Sequence, residues 1–249
     1  MASPSNILGV LVMLALRIGD IVETTPANAL LDYKLNGSDT DIRLRGNVSY
    51  VESAVFGKVL QLNDKNGFAT LHYIDVFKMK SMTITFYIRY ILMKSPNNVL
   101  LIFSCGREKI MIRDYVGKRM AINILYHTPS LDDIFHFSTD YQSFIYDLSW
   151  QHYAATIRTG NVSLKDIAKI RPTRQPQVML YSNGNLVRFN SHVRYSHKQR
   201  SFQKQILLGG SSTKRQMSNV KFFPTILSKY DIANSRKIGT FTCTCPLAF

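Results

Sequence analysis

The run Met82-Thr83-Ile84-Thr85-Phe86-Tyr87-Ile88-Arg89 alternates in character at every residue and is rich in β-branched and aromatic side chains. A two-residue period places Met82, Ile84, Phe86 and Ile88 on one face of a strand, and that face is expected in the core. Working outward, the same signal recurs at Val59 to Leu62, Val99 to Ser104, Lys109 to Ile112, Ala121 to Tyr126 and His152 to Arg158. It continues at Val178 to Tyr181, Leu186 to Phe189, Ile206 to Leu208 and Val220 to Phe223. Many short strands with few helical periods predict an all-β, antiparallel two-sheet sandwich of the jelly-roll kind. Asn183-Gly184 between two apolar runs predicts a tight hairpin, because both residues tolerate positive φ. Near the end, Ser228 followed three residues later by Asp231 forms a capping-box pattern that predicts one short C-terminal helix.

At 249 residues the chain is long enough to bury a sizeable core, and a single domain is expected. Its mean hydropathy is −0.06, and no apolar run reaches the roughly 18 residues that span a bilayer. The longest such run, Ile7 to Leu16, stops at Arg17 and suits the core of a signal peptide, with small residues at Ala27-Asn28-Ala29. The expected organisation is therefore a leader over residues 1–29, a sandwich over 30–240 and a short cysteine-containing tail over 241–249. Met1 to Asn6 carries no positive charge, and the competing reading makes Ile7 to Leu16 a buried element of the fold. Export would expose three glycosylation sequons, at Asn36, Asn47 and Asn161. It would also permit a disulfide among Cys105, Cys243 and Cys245, whose pairing the sequence leaves open.

Charge is unevenly distributed. Residues 1–150 hold 15 basic and 14 acidic side chains, whereas residues 151–249 hold 16 basic and 2 acidic ones, a net of +14. Such an excess attracts polyanions. Seven of those basic residues, Arg188, Arg194, Lys198, Arg200, Lys204, Lys214 and Arg215, follow the hairpin and form the candidate anion-binding stretch. His192 and His197 are interleaved with them, as are Tyr195 and Phe202. Guanidinium forks suit sulfate and phosphate oxygens. The alternative is a solvated edge whose charge discourages strand-to-strand aggregation. The prolines and cations of Ser163 to Gln177 suggest a separate exposed basic loop.

The order of these pieces resembles the laminin-G-like branch of the concanavalin-A-like lectin and glucanase superfamily, from about Ala29 to Lys237. The resemblance is carried by Gly57-Lys58-Val59-Leu60-Gln61-Leu62, Ser81 to Ile88, Leu148-Ser149-Trp150-Gln151-His152-Tyr153-Ala154-Ala155-Thr156 and Leu180-Tyr181-Ser182-Asn183-Gly184. Leu207 to Gly210, Met217 to Phe223, and Leu227-Ser228 with Asp231-Ile232 complete it. The family implies a jelly-roll sandwich, a recognition or adhesion role, and calcium as a possible rim ligand. The basic insertion Ser163 to Gln177 and the Cys243-Thr244-Cys245 tail depart from the family pattern.

Glucanases of this superfamily hydrolyse glycosidic bonds with paired carboxylates on one strand. No Glu-x-Asp-x-Glu or Glu-x-Asp-x-x-Glu occurs, and the adjacent pair Asp132-Asp133 is expected in a loop. No Gly-x-Ser-x-Gly nucleophile motif occurs either. No specific metal motif is present; Asp64 and Asp75 read as turn residues and His152 as a satisfied core or edge histidine. Nucleic-acid motifs are missing as well, so nucleic acid ranks below glycans as the polyanion. The expectation is a secreted, non-enzymatic recognition module without a cofactor, binding a glycan or another anionic extracellular partner. A glycan-active enzyme of the same fold and a structural domain without a specific ligand are the alternatives.

Overall fold

The computed structural model describes residues 28–92, 98–106, 108–115, 119–127, 133–142, 149–158, 177–189, 192–197, 202–209 and 214–236. Within these the chain forms β1 (Leu31–Tyr33), β2 (Arg43–Arg45), β3 (Val48–Ser53), β4 (Gly57–Leu62), β5 (Phe68–Leu71) and β6 (Ser81–Leu92). Next come β7 (Asn98–Gly106), β8 (Glu108–Tyr115), β9 (Arg119–His127), β10 (Asp133–Gln142) and β11 (Gln151–Arg158). The last strands are β12 (Gln177–Ser182), β13 (Asn185–Phe189), β14 (His192–His197), β15 (Phe202–Gly209) and β16 (Lys214–Phe223), followed by helix α1 (Lys229–Ser235). The first sheet runs β13-β12-β11-β6-β16-β4-β3, with β1 also paired to β16; the second runs β14-β10-β9-β8-β7-β15-β5-β2. Every neighbouring pair is antiparallel, and the architecture is the expected all-β sandwich.

The phase read from the opening stretch holds. Met82, Ile84, Phe86 and Ile88 of β6 are buried between the sheets, as are Phe103, Ile110, Ile112, Ile206 and Leu208 of the second sheet. Phe103 meets Phe222 of the first sheet edge-on at 5.3 Å, a favourable geometry for two rings that tie opposing layers. Strand β16 changes phase midway: Met217 faces the core before a bulge, and Val220 and Phe222 face it afterwards. Asn219, at φ 49, supplies the extra residue, a conformation that asparagine tolerates better than most.

The hairpin and the helix also form as expected. Asn183 and Gly184 both have positive φ, 50 and 81, which gives a type I′ turn joining Ser182 to Asn185. Ser228 Oγ accepts from the Asp231 amide at 3.1 Å while Asp231 Oδ2 accepts from the Ser228 amide at 3.1 Å, closing the capping box.

Two expectations need correction. Asp133 does not sit in a loop but opens β10, where it pairs with His197, and Asp132 lies outside the described residues. The stretch His192 to His197, read as lying between strands, is itself β14 at the edge of the second sheet. Both segments carry polar residues at alternate positions, and pairing with neighbours remote in sequence makes them strands. Residues 1–27 of the candidate leader over 1–29, together with Cys243, Cys245, Asn161 and nearly all of the basic loop, lie outside the described residues.

Candidate polyanion-binding face

The sandwich has two outer faces, and the chain closes one of them. Leu227 and Ile232 pack with Ala154, Tyr181 and Phe223 on the outer side of the first sheet, so α1 and the segment before it cover that end. Beside them Phe56 reaches over from the β3–β4 turn and contacts Trp150 at 4.7 Å and Tyr87 at 4.9 Å, and Tyr87 in turn meets His152 at 4.8 Å. The Tyr87 hydroxyl donates to the Arg236 carbonyl, and the Arg236 guanidinium donates to the Asn183 carbonyl at 2.7 Å, latching the helix end to the hairpin. Burial pushes Tyr87 up to about 12, with Arg236 opposing it, and pushes His152 down to about 4, with Arg236 adding to the effect. His152 is only 2% exposed and its Nδ1 meets no partner, so it is a core histidine but not a satisfied one. Trp150 Nε1 is likewise buried without a partner.

Among the described residues, no helix lies on the outer face of the second sheet. Its composition follows from strand register. One register row passes from Val193 through Phe137, Ile124, Ile110 and Phe103 to Ile206, of which Ile110, Phe103 and Ile206 are buried in the core. One residue along, the register row reads Arg194, His136, Leu125, Lys109, Ser104 and Gln205. A further register row is His192, Ser138, Asn123, Met111, Ile102, Leu207, Thr70 and Arg43. A third contains Arg113, Ala121 and Asp140.

The second sheet thus carries Arg43 on β2, Lys109 and Arg113 on β8 and Arg194 on β14. Eight strands at about 4.8 Å spacing make this face roughly 30 Å wide. Met111 is buried against Ile102 in a small cluster separate from the main core, which gives the middle of the face an apolar floor. Arg43 and Arg45 on the β2 edge are exposed.

The candidate stretch taken from the sequence is dispersed by the topology. Arg188 falls on β13 at the edge of the first sheet, whereas Arg194 falls on β14 at the edge of the second. Lys204 is exposed on β15, with four strands between it and β14. Lys214 opens β16 in the middle of the first sheet and is half-buried. Arg215 is 0% exposed, in register with Tyr90 and Leu62 and on the same side of β16 as Met217; it is a core residue and leaves the anion-binding set. Lys198 and Arg200 lie outside the described residues. Lys109, Arg113, His136 and Arg43 were missed because adjacency across strands is invisible in a linear reading.

The remaining candidates have local structural roles. Asp64 accepts from Asn47 Nδ2 at 3.1 Å and from the Asn66 amide at 2.8 Å, and Asp75 pairs with Lys78 at 3.5 Å. Among the described residues no group of three His, Cys, Asp or Glu is positioned to hold a metal ion. Cys105 lies in β7.

No family model and no curated protein sequence matches the chain. Solved structures bear out the class of fold: a two-sheet antiparallel sandwich similar to that in binding domains of botulinum neurotoxins and of Paraclostridial Mosquitocidal Protein 1. The botulinum neurotoxin serotype G binding domain superposes with a TM-score of 0.60 at 12% identity, covering 83% of this chain and 50% of that one. The binding domain of botulinum neurotoxin DC in complex with SialylT gives 0.58 at 15% identity, covering 83% and 50%. The binding domain of Paraclostridial Mosquitocidal Protein 1 gives 0.58 at 13% identity, covering 83% and 51%. The chain spans about half the length of these structures.

Proposed function

We propose that this chain is an exported, non-catalytic binding module of laminin-G-like type whose ligand is an anionic glycan such as a sulfated polysaccharide. The observation that carries the reading is the strand order of the second sheet, which brings Arg43, Lys109, Arg113 and Arg194 from separate parts of the sequence onto one sheet. Among the described residues, α1 and Phe56 with Trp150 cover part of the first sheet's outer side. An extended polyanion matches the dimensions of the second sheet, and fixed cations on a sheet engage sulfates with little ordering cost. The sandwich seen in toxin binding domains is compatible with this role.

The test is elution from immobilised heparin. A face variant carrying Arg43→Ser, Lys109→Ser, Arg113→Ser and Arg194→Ser is compared with a control carrying Lys165→Ser, Lys169→Ser, Arg171→Ser and Arg174→Ser. Both lose four positive charges. The face variant is expected to elute at clearly lower salt, and retention of the parent is expected to fall steeply as the Debye length shrinks from about 10 Å at 0.1 M toward about 3 Å at 1 M. Retention is expected to be the same with calcium and with a chelator. Equal losses in the two variants would show that net charge governs binding and that no face does. Glycan hydrolysis abolished by Asp140→Asn would replace binding with catalysis.

A further inference from the structure

Of the two sequons whose structure is described, we propose that Asn36 is the N-glycan acceptor and Asn47 is not. At Asn36-Gly37-Ser38 the chain makes a three-residue turn in which Asn36 Oδ1 accepts from the Ser38 amide at 3.0 Å and from Ser38 Oγ at 2.6 Å. Gly37, at φ 89, allows the turn to close where a side chain would be strained. Two donors on the carboxamide oxygen draw electron density from the nitrogen and make its protons more acidic. Asn36 Nδ2 has no partner among the described residues, and Gly37 and Ser38 are exposed.

The chemistry requires that arrangement. In N-glycosylation the carboxamide nitrogen attacks the anomeric carbon of a lipid-pyrophosphate-linked oligosaccharide. The new N–C bond forms as the C–O bond to pyrophosphate breaks, the lipid pyrophosphate departs with the bonding pair, and one amide proton passes to a base. The turn at Asn36 spans two residues, so it needs no remote part of the fold and is available before folding is complete.

Asn47 is held differently. Its Nδ2 donates to Asp64 Oδ2 at 3.1 Å, its Oδ1 accepts from Asn63 Nδ2 at 3.1 Å, and its carbonyl accepts from the Asn63 amide at 3.1 Å. The rest of that sequon, Val48 and Ser49, is committed to β3 opposite Leu62 and Gln61. Extended backbone carries Ser49 away from Asn47, so no hydroxyl bonds to its carboxamide oxygen. Folding therefore occupies the Asn47 nitrogen and leaves the Asn36 nitrogen free.

The site rests on export of the chain, which the experiment separates from the choice of acceptor. The full chain is expressed in eukaryotic cells both as it stands and behind an added secretion signal. Material is deglycosylated in heavy-oxygen water and the occupied asparagines are read by mass spectrometry. Asn36 occupancy is expected to exceed that of Asn47 at least fivefold in exported protein. Asp64→Ala, which frees the Asn47 nitrogen, is expected to raise Asn47 occupancy severalfold while Asn36 stays constant. Phe86→Ala, a core lesion remote from both loops, is expected to leave the ratio unchanged, which distinguishes a released amide from general unfolding. Equal or greater occupancy at Asn47, or two empty sequons on chains exported by the added signal, would overturn the assignment. Glycosylation seen only with the added signal would remove native export and leave the choice of Asn36 intact.

Discussion

Acid should act on this fold through His152. The ring is buried on the outer side of the first sheet beside Tyr87, and burial first, with Arg236 second, lowers its pKa from 6.5 to about 4. The folded protein therefore keeps His152 neutral over a range in which the unfolded chain takes up a proton. Because the unfolded state binds more protons there, stability is complete above about pH 6.5 and declines as the pH falls toward 4. At 1.36 kcal/mol per unit, the decline amounts to about 3 kcal/mol. His152→Phe preserves a ring against Tyr87, discards a nitrogen that has no partner, and cannot titrate. Urea unfolding of both proteins at intervals from pH 7.5 to 4 isolates the histidine, since the carboxylates are common to both. The difference between the two should be flat near neutrality and should widen by about 3 kcal/mol in favour of the variant by pH 4. Parallel curves would show that His152 titrates normally in the folded protein, and the burial argument would fail.

Other perturbations test the packing. Phe86→Ala removes a buried ring that lies 6.0 Å from Tyr153 and should cost about 3 to 5 kcal/mol in chemical denaturation; a cost under about 1 kcal/mol would break the strand phase. Gly184→Ala forces a side chain into φ 81 with its Cβ 3.3 Å from Ala233, so the hairpin and its seat against α1 should lose about 1 to 2 kcal/mol by thermal unfolding. Arg215→Ala should lower stability by about 2 to 5 kcal/mol because it empties a core position, yet leave heparin elution unchanged. A heparin shift in a folded Arg215→Ala protein would return that residue to the binding set.

Local signals were legible in the sequence, and relations between distant strands were not. The alternation of Met82 to Ile88, the Asn183-Gly184 turn and the Ser228 capping box each depend on a few consecutive residues, and all three formed as read. Strands β10 and β14 alternate but carry many polar residues, and they are recruited by pairing with β9 and with each other. Arg215 misled because charge suggests solvent, whereas the phase of β16, set by the bulge at Asn219, turns that position inward. The candidate face was the least legible part. Arg43, Lys109 and Arg194 fall on one sheet only because that sheet orders its strands out of sequence.

The most direct test of the anion-binding face is arginine-selective chemical modification, with and without a heparin-derived oligosaccharide, read by peptide mass spectrometry. Arg43 and Arg45 at one edge and Arg194 at the other should be protected together, because a single extended ligand crosses the sheet between them. Arg236, exposed on the opposite side of the sandwich beside the hairpin, should react equally in both samples. Protection confined to Arg171 and Arg174, or protection of Arg236 with none at Arg43 and Arg194, would contradict the account.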